Sequence, residues 1–225
     1  MTEGRTNMHT DDQTGKPGNT VGVIAAEPLE AAKVRCLLLL ASGSWFTSGP
    51  TAEALETVRF AISWLGETAP DVLERIGPWK ESFGEDVDLS GAQKDFARVF
   101  CVGRELFPSS ESVYRTGLMM QEPRDEMRRR MRASGLELAP NERLPEDHLG
   151  AALTFGYQLL KRDVEAYEGG RSGEENSANR FDAYAAERLQ WIREAEPLAE
   201  NLPDGPTKIL LRLARITLEP VWPRW

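Results

Sequence analysis

Asp147 and His148 are the neighbouring residues of this chain best suited to acid–base chemistry, since a carboxylate beside an imidazole can relay a proton. Glu142 lies just upstream and could act as a further acid or base. However, adjacent residues of a helix point about 100° apart, which places the pair poorly for a direct relay. His9 is the other histidine of the sequence, so a site with several histidine ligands is not predicted. We therefore predict no catalytic residue, no metal and no cofactor.

The residues alone leave two interpretations of Asp147 and His148. In the first, Pro145 opens a long helix and Asp147 lies in its first turn, where a carboxylate offsets unpaired amides and the helix dipole. His148 is then an ordinary, half-buried histidine. In the second, both side chains contact a bound peptide. Because an unperturbed histidine has a pKa of about 6.5, such binding would depend on pH.

Negative charge is concentrated around this turn. Glu142, Glu146 and Asp147 lie together at the start of an apolar helical pattern. A second polar loop carries Glu105 and Glu111, and we predict that the two loops form one site. A groove with apolar walls and an acidic rim suits a peptide in which arginines are followed by hydrophobic residues.

The overall composition excludes some classes of partner. There are 27 Lys and Arg against 36 Asp and Glu, a net charge of −9, which disfavours nucleic acid because phosphate contacts dominate that affinity. Cys36 and Cys101 lie in apolar stretches and are interpreted as buried thiols of a reducing cytosol. No apolar run approaches the roughly 20 residues of a membrane-spanning helix, and no export signal is found. We predict a cytoplasmic protein without stable membrane insertion.

The pattern along the chain is helical. Residues 1–25 are rich in Thr, Gly, Asp and Asn, a composition that predicts a disordered N-terminal tail. From Pro28 onward, apolar residues recur at helical spacing, Pro and Gly mark the breaks, and no sustained two-residue alternation indicates strands. Residues 26–225 are therefore predicted to form one all-α globular bundle of about seven to nine helices.

Several short motifs occur in an order that resembles the TorD/DmsD family, the NarJ-related redox-enzyme maturation chaperones. The most specific is residues 144–149, which resemble the family's Pro-x-Asp-His helix start. Residues 96–100 resemble its aromatic-x-Arg-aliphatic-Phe pattern, and residues 111–114 match its second hallmark. Residues 131–136 and 214–218 resemble the segment before the Asp-His motif and the C-terminal helix.

The resemblance implies an all-helical cytoplasmic chaperone that binds the twin-arginine leader and the apoenzyme of a molybdopterin oxidoreductase until cofactor insertion and export. It carries the family's leader-binding region onto Phe96, Val99, Phe100, Tyr114, Pro145, Asp147 and His148. We add Glu111 and Glu142 to this predicted peptide-binding set because of their charge. Relatives form domain-swapped dimers, so a monomer or a dimer with a hinge at residues 169–176 is expected.

Two other functions stay open at this point. One is an all-α enzyme that uses Asp147, His148 and Glu142 as acid and base, which would require the three side chains to converge in a closed pocket. The other is a nucleotide-regulated adaptor, although the chain lacks a phosphate-binding loop. The chain also departs from the family at Ser109 and Ser110, where Pro-Tyr or Pro-Trp is common, and this predicts a smaller and more polar pocket.

Overall fold

The computed structural model describes residues 27–103, 105–139, 142–169 and 180–222, and in these ranges the regular elements are twelve α-helices without a β-strand. The helices, in chain order, are α1 Pro28–Ser48, α2 Ala52–Thr68, α3 Pro70–Glu74, α4 Trp79–Phe83, α5 Leu89–Phe100, α6 Glu111–Thr116, α7 Glu122–Ala133, α8 Leu149–Glu168, α9 Arg180–Arg188, α10 Gln190–Glu194, α11 Glu196–Glu200 and α12 Pro206–Ile216. The all-α prediction is confirmed. Seven helices have nine or more residues, and the other five are short turns of five or six.

The core is organised around α1 and α8, which pack along each other more extensively than any other pair of helices described. Glycine permits this close approach. A Cβ atom on Gly150 would lie 2.5 Å from the backbone nitrogen of Thr47, and one on Gly43 would lie 3.0 Å from that of Thr154. Both distances are too short for ordinary van der Waals contact, so the missing side chains bring the end of α1 against the start of α8.

The predicted start of the long helix α8 is wrong by one turn. Pro145 does not open α8, because residues 145–148 form a separate turn in which the His148 amide donates to the Pro145 carbonyl at 2.9 Å. The helix itself begins at Leu149. The predicted tail, residues 1–25, and most of the predicted hinge loop lie outside the described residues.

The two cysteines differ in their surroundings. Cys36 is buried in α1, and burial raises the pKa of its thiol to about 12. Cys101 follows α5 and is exposed, so the prediction of burial is wrong for this residue. Within the described ranges, no helix has the length and apolar character needed to cross a membrane.

Candidate functional site

The two polar loops that are predicted from the sequence to form one site lie side by side. The Glu111 amide donates to the Asp147 carbonyl at 3.1 Å, and the Leu149 amide donates to the Ser109 carbonyl at 2.8 Å. Between these bonds, Ser110 and His148 form an isolated antiparallel bridge. The start of α6 is therefore tied by its backbone to the turn that precedes α8.

Asp147 is a buried structural link between these loops. Its side chain is 2% exposed, and its Oδ2 accepts a hydrogen bond from the Ser112 amide at 2.8 Å. Its Oδ1 has no hydrogen-bond partner among the described residues. Ser112 lies in the first turn of α6, so the carboxylate satisfies an unpaired amide of a helix distant in sequence. The prediction that Asp147 lies in the first turn of its own helix is wrong, since α8 starts two residues later.

His148 is the N-cap of α8. Its Nδ1 accepts a hydrogen bond from the Gly150 amide at 3.2 Å, which requires a neutral ring with the proton on Nε2. Burial lowers the pKa of His148 to about 4, although the Asp147 and Glu142 charges act to raise it. The expectation that this histidine changes charge near pH 6.5 is therefore wrong. Asp147 and His148 accept from two different backbone amides and do not form an Asp–His relay in this arrangement.

The lowered pKa of His148 predicts a particular pH dependence of stability. The unfolded chain takes up the proton near the ordinary pKa of 6.5, whereas the folded chain takes it up only near 4. The contribution of neutral His148 to the free energy of unfolding is therefore fully present above pH 6.5 and is lost as the pH falls towards 4. His148→Asn keeps a good N-cap without a titrating group, so we expect similar stability at pH 7 and a smaller loss on acidification. Urea unfolding of wild type and His148→Asn across this pH range measures the stability at pH 7 and its loss on acidification.

The comparison between wild type and His148→Asn isolates the histidine. Asp163 has a pKa raised to about 6 by burial, against the lowering effect of Arg180, and so contributes the opposite pH slope in both proteins. Imidazole NMR of a His9→Gln variant gives an independent measurement, because His148 is then the one histidine left. Protonation of His148 near pH 6.5 would contradict the burial argument.

Two of the five carboxylates predicted around the site, Glu111 and Glu146, are ion-paired within the protein. Glu111 is 7% exposed, and its Oε2 accepts from Arg188 Nη2 at 2.6 Å. Burial raises the pKa of Glu111, against the lowering effects of Arg188 and Arg115. Glu146 accepts from Arg124 Nε at 2.7 Å. These ion pairs offset the charges of Glu111 and Glu146, so these two residues are not free members of the predicted acidic rim.

Two of the predicted rim carboxylates remain at the surface. Glu105 is exposed and accepts a hydrogen bond from the Ser109 hydroxyl at 3.1 Å. Glu142 is half-buried, and its Oε1 accepts from the backbone amides of Arg143 at 2.9 Å and Leu144 at 3.3 Å. Of these two, Glu105 is the carboxylate placed to meet a cation from solvent.

The predicted aromatic contacts lie at the carboxyl end of α5. Phe96 and Phe100 are half-buried and have ring centroids 5.0 Å apart, and Phe100 packs edge-on against Phe46 of α1 at 5.9 Å. Val99 is buried and contributes its carbonyl, which accepts from the Leu106 amide at 2.9 Å. These residues reach the start of α8 indirectly, through the end of α1.

Tyr114 of α6 packs against α10 and belongs to a different aromatic group from Phe96 and Phe100. Its ring is tilted over Trp191 of α10 at 5.9 Å, and Trp191 also packs against the buried Phe107 at 6.4 Å. This aromatic group anchors the loop between α5 and α6. Tyr114 is half-buried and separate from the Phe96–Phe100 pair, so the nine predicted residues do not converge on one point.

Sequence reasoning missed two exposed apolar residues near the end of α5. Val102 is 70% exposed and Leu106 is 45% exposed, in the loop that follows α5. We call Phe96, Phe100, Val102, Glu105 and Leu106 the α5 surface. Val102 and Leu106 lie in a loop without helical periodicity, which could have indicated that they are exposed. However, their spacing in the sequence does not distinguish exposed apolar residues from residues packed in the core.

A cavity of about 350 Å³ lies between α7 and the segment before α8. Of the predicted residues, Glu142 and Pro145 line it. The remaining apolar lining, none of it in the predicted peptide-binding set, consists of Met120, Met131, Leu136, Leu138, Ala139 and Leu144. Among the described residues, no group of three or more His, Cys, Asp or Glu side chains is arranged to hold a metal ion.

The fold and the site define an all-α protein in which a Pro-x-Asp-His turn locks two distant segments together. The chain belongs to the nitrate reductase delta subunit family, whose model matches residues 65–195, or 131 of its 225 residues. The resemblance to the NarJ-related redox enzyme maturation chaperones is thereby confirmed, and the match spans all nine predicted peptide-binding residues.

A candidate redox enzyme maturation protein from Archaeoglobus fulgidus, known from a crystal structure, is similar over 92% of this chain and 96% of that chain. The identity is 15% and the TM-score 0.48. No curated protein matches the sequence.

Proposed function

We propose that this maturation chaperone binds the twin-arginine leader of a molybdopterin oxidoreductase in the cytoplasm, together with the apoenzyme, until its cofactor is inserted. It performs no chemical step. Membership of the NarJ-related family supports a role in redox enzyme maturation. The observation that carries leader binding is the exposure of Val102 and Leu106 beside the half-buried pair Phe96 and Phe100.

The chemistry of the α5 surface suits such a leader. A leader of this kind combines two arginines with an apolar run, and exposed leucine and valine side chains gain about 1.5–3 kcal/mol each when fully buried. Glu105 is exposed beside them, and its contacts with Ser109 leave the carboxylate accessible to solvent. A guanidinium can form a charge-assisted, bidentate pair with such a carboxylate.

The buried members of the predicted set have a different part in this proposal. Asp147 and Glu111 are engaged inside the protein, where they fix the loop that carries Glu105 and Leu106. His148 accepts from the Gly150 amide in the first turn of α8, in the same region. We therefore assign these three residues to positioning, and the exposed residues of the α5 surface to contact with the leader.

Leu106→Asp is expected to weaken binding of a synthetic twin-arginine leader about tenfold, because an apolar contact worth roughly 1.5 kcal/mol or more is replaced by a hydrated carboxylate. Isothermal titration calorimetry of the purified full chain measures the change. Leu198→Asp is the matched control, since Leu198 on α11 is 42% exposed against 45% for Leu106. The control variant should bind the leader as wild type does.

The same titration with both arginines of the peptide replaced tests the electrostatic part. We expect the peptide without the two arginines to bind wild type more weakly than the twin-arginine leader does. In Glu105→Gln, the difference in affinity between the two peptides should be smaller. Equal binding of Leu106→Asp and Leu198→Asp would remove the α5 surface from the site. Failure of wild type to bind any twin-arginine leader would overturn the proposed function itself.

A further inference from the structure

A second apolar surface lies on the turn between α6 and α7. Leu118, Met119 and Met120 are consecutive and each is more than half exposed. The turn is held in place, because the Leu118 amide donates to the Thr116 hydroxyl at 3.2 Å and the Gln121 side chain donates to the Met119 carbonyl at 2.8 Å. Three ordered, exposed apolar side chains in a row are unusual for a solvated turn.

Met120 lines the cavity beside α7 and has an uncommon backbone conformation. Its φ of 58° lies in the left-handed region, where a residue other than glycine, asparagine or aspartate is uncommon. The cavity has a volume of about 350 Å³, and Met131 and Leu136 also line it. Backbone strain of this kind is retained where the surrounding structure has a use for it. Flexible methionine side chains adapt readily to an apolar partner.

The cavity lining is slightly cationic, with four arginines and three glutamates. Arg124 is paired with Glu146, and Arg128 with Asp125 at 2.8 Å. Two other cationic residues line the cavity and are exposed, namely Arg132 and Arg143. Neither has a carboxylate partner among the described residues. The carboxylates left at the rim are Glu137, which is exposed, and Glu142, which accepts from two backbone amides.

We propose that this cavity and the adjoining turn form a second peptide-binding surface, which takes a segment with carboxylates next to apolar side chains. The apolar side chains enter between Met120, Met131 and Leu136. A carboxylate of the segment pairs with Arg132 or Arg143, as guanidinium groups favour. In a protein of net charge −9, the lining of this cavity has one more arginine than glutamate, which reduces the local repulsion of an acidic partner. The proposal uses no residue of the α5 surface and is independent of leader binding.

Fluorescence anisotropy with two labelled peptides tests the proposal. One is an amphipathic peptide of leucine and glutamate, and the other has lysine in place of every glutamate. We expect wild type to bind the glutamate peptide more tightly by roughly tenfold, and Arg132→Ala/Arg143→Ala to lose about tenfold of that affinity, as for two partly exposed ion pairs. Met120→Asp should weaken binding of the glutamate peptide as well.

Arg129→Ala is the matched control, because Arg129 is exposed on the same helix but does not line the cavity. It should bind the glutamate peptide as wild type does, and so should Leu106→Asp. Thermal unfolding by circular dichroism shows that each variant is folded. Equal affinity for the two peptides, no binding of the glutamate peptide, or unchanged binding by the double variant would each overturn the proposal. None of these outcomes bears on the leader site.

Discussion

Arg188→Met is expected to lower the free energy of unfolding by about 3 kcal/mol, the scale for removing one partner of a buried ion pair. Arg188 on α9 donates to Glu111 of α6 at 2.6 Å and also pairs with Glu126 of α7. It therefore joins three helices around the candidate site. Without it, Glu111 remains buried, and Arg115 at 3.6 Å is the one cationic neighbour left to it among the described residues. Urea unfolding at pH 7 measures the loss.

The matched control for Arg188 is Arg130→Met. Arg130 pairs with Glu187 across the same two helices, α7 and α9, but both side chains of that pair are more than a third exposed. Its loss should cost less than about 1 kcal/mol. Arg188→Met/Glu111→Gln should recover part of the stability, because the stranded carboxylate is removed. Equal effects of the two arginine variants would show that the Arg188 ion pair is not buried in solution.

Asp147→Ala is expected to cost about 2 kcal/mol of stability, as for a hydrogen bond from an amide to a buried charged group. The lost contact is the one to the Ser112 amide at 2.8 Å. Hydrogen exchange should therefore become faster at Ser112, at the start of α6, and urea unfolding should give the total. Asp125→Ala is the control, since Asp125 is exposed and its pair with Arg128 is expected to contribute little.

Leader titrations separate positioning from contact at Asp147. We expect Asp147→Ala to weaken binding of a twin-arginine leader and of its arginine-replaced counterpart by the same factor, because a buried carboxylate acts through the loop it holds. If the carboxylate contacted an arginine of the leader, the variant would lose discrimination between the two peptides. That result would return Asp147 to the contact role first predicted for it.

The contrast between Asp147 and Leu106 shows where sequence reasoning stops. The Pro-x-Asp-His turn is a local pattern, so its presence and its partner loop at residues 109–112 could be predicted. The direction of the carboxylate could not, because the amide it accepts from lies 35 residues away in the chain. Leu106 has no helical period around it, and its exposure depends on how the loop folds back on Val99.

The pairing of charges was equally inaccessible from sequence. Glu111 and Glu146 look like free acids in the sequence, and each meets its arginine only through packing of α6, α7 and α9. Burial likewise reverses the expected behaviour of His148, whose pKa falls to about 4. Side-chain environment is a property of the assembled helices and has no local signature.

The amino-acid sequence by itself determined the all-α class, the family, and the two loops that meet at the start of α8, because helical periodicity, Pro and Gly breaks and short motifs are local features. The tertiary structure alone decided which of those residues are available to a ligand. It placed Asp147, Glu111 and His148 on internal hydrogen bonds and left Val102, Leu106 and Met120 in solvent. Burial and ion pairing depend on segments that are distant in the chain, so only the packed helices define the surface that a peptide meets.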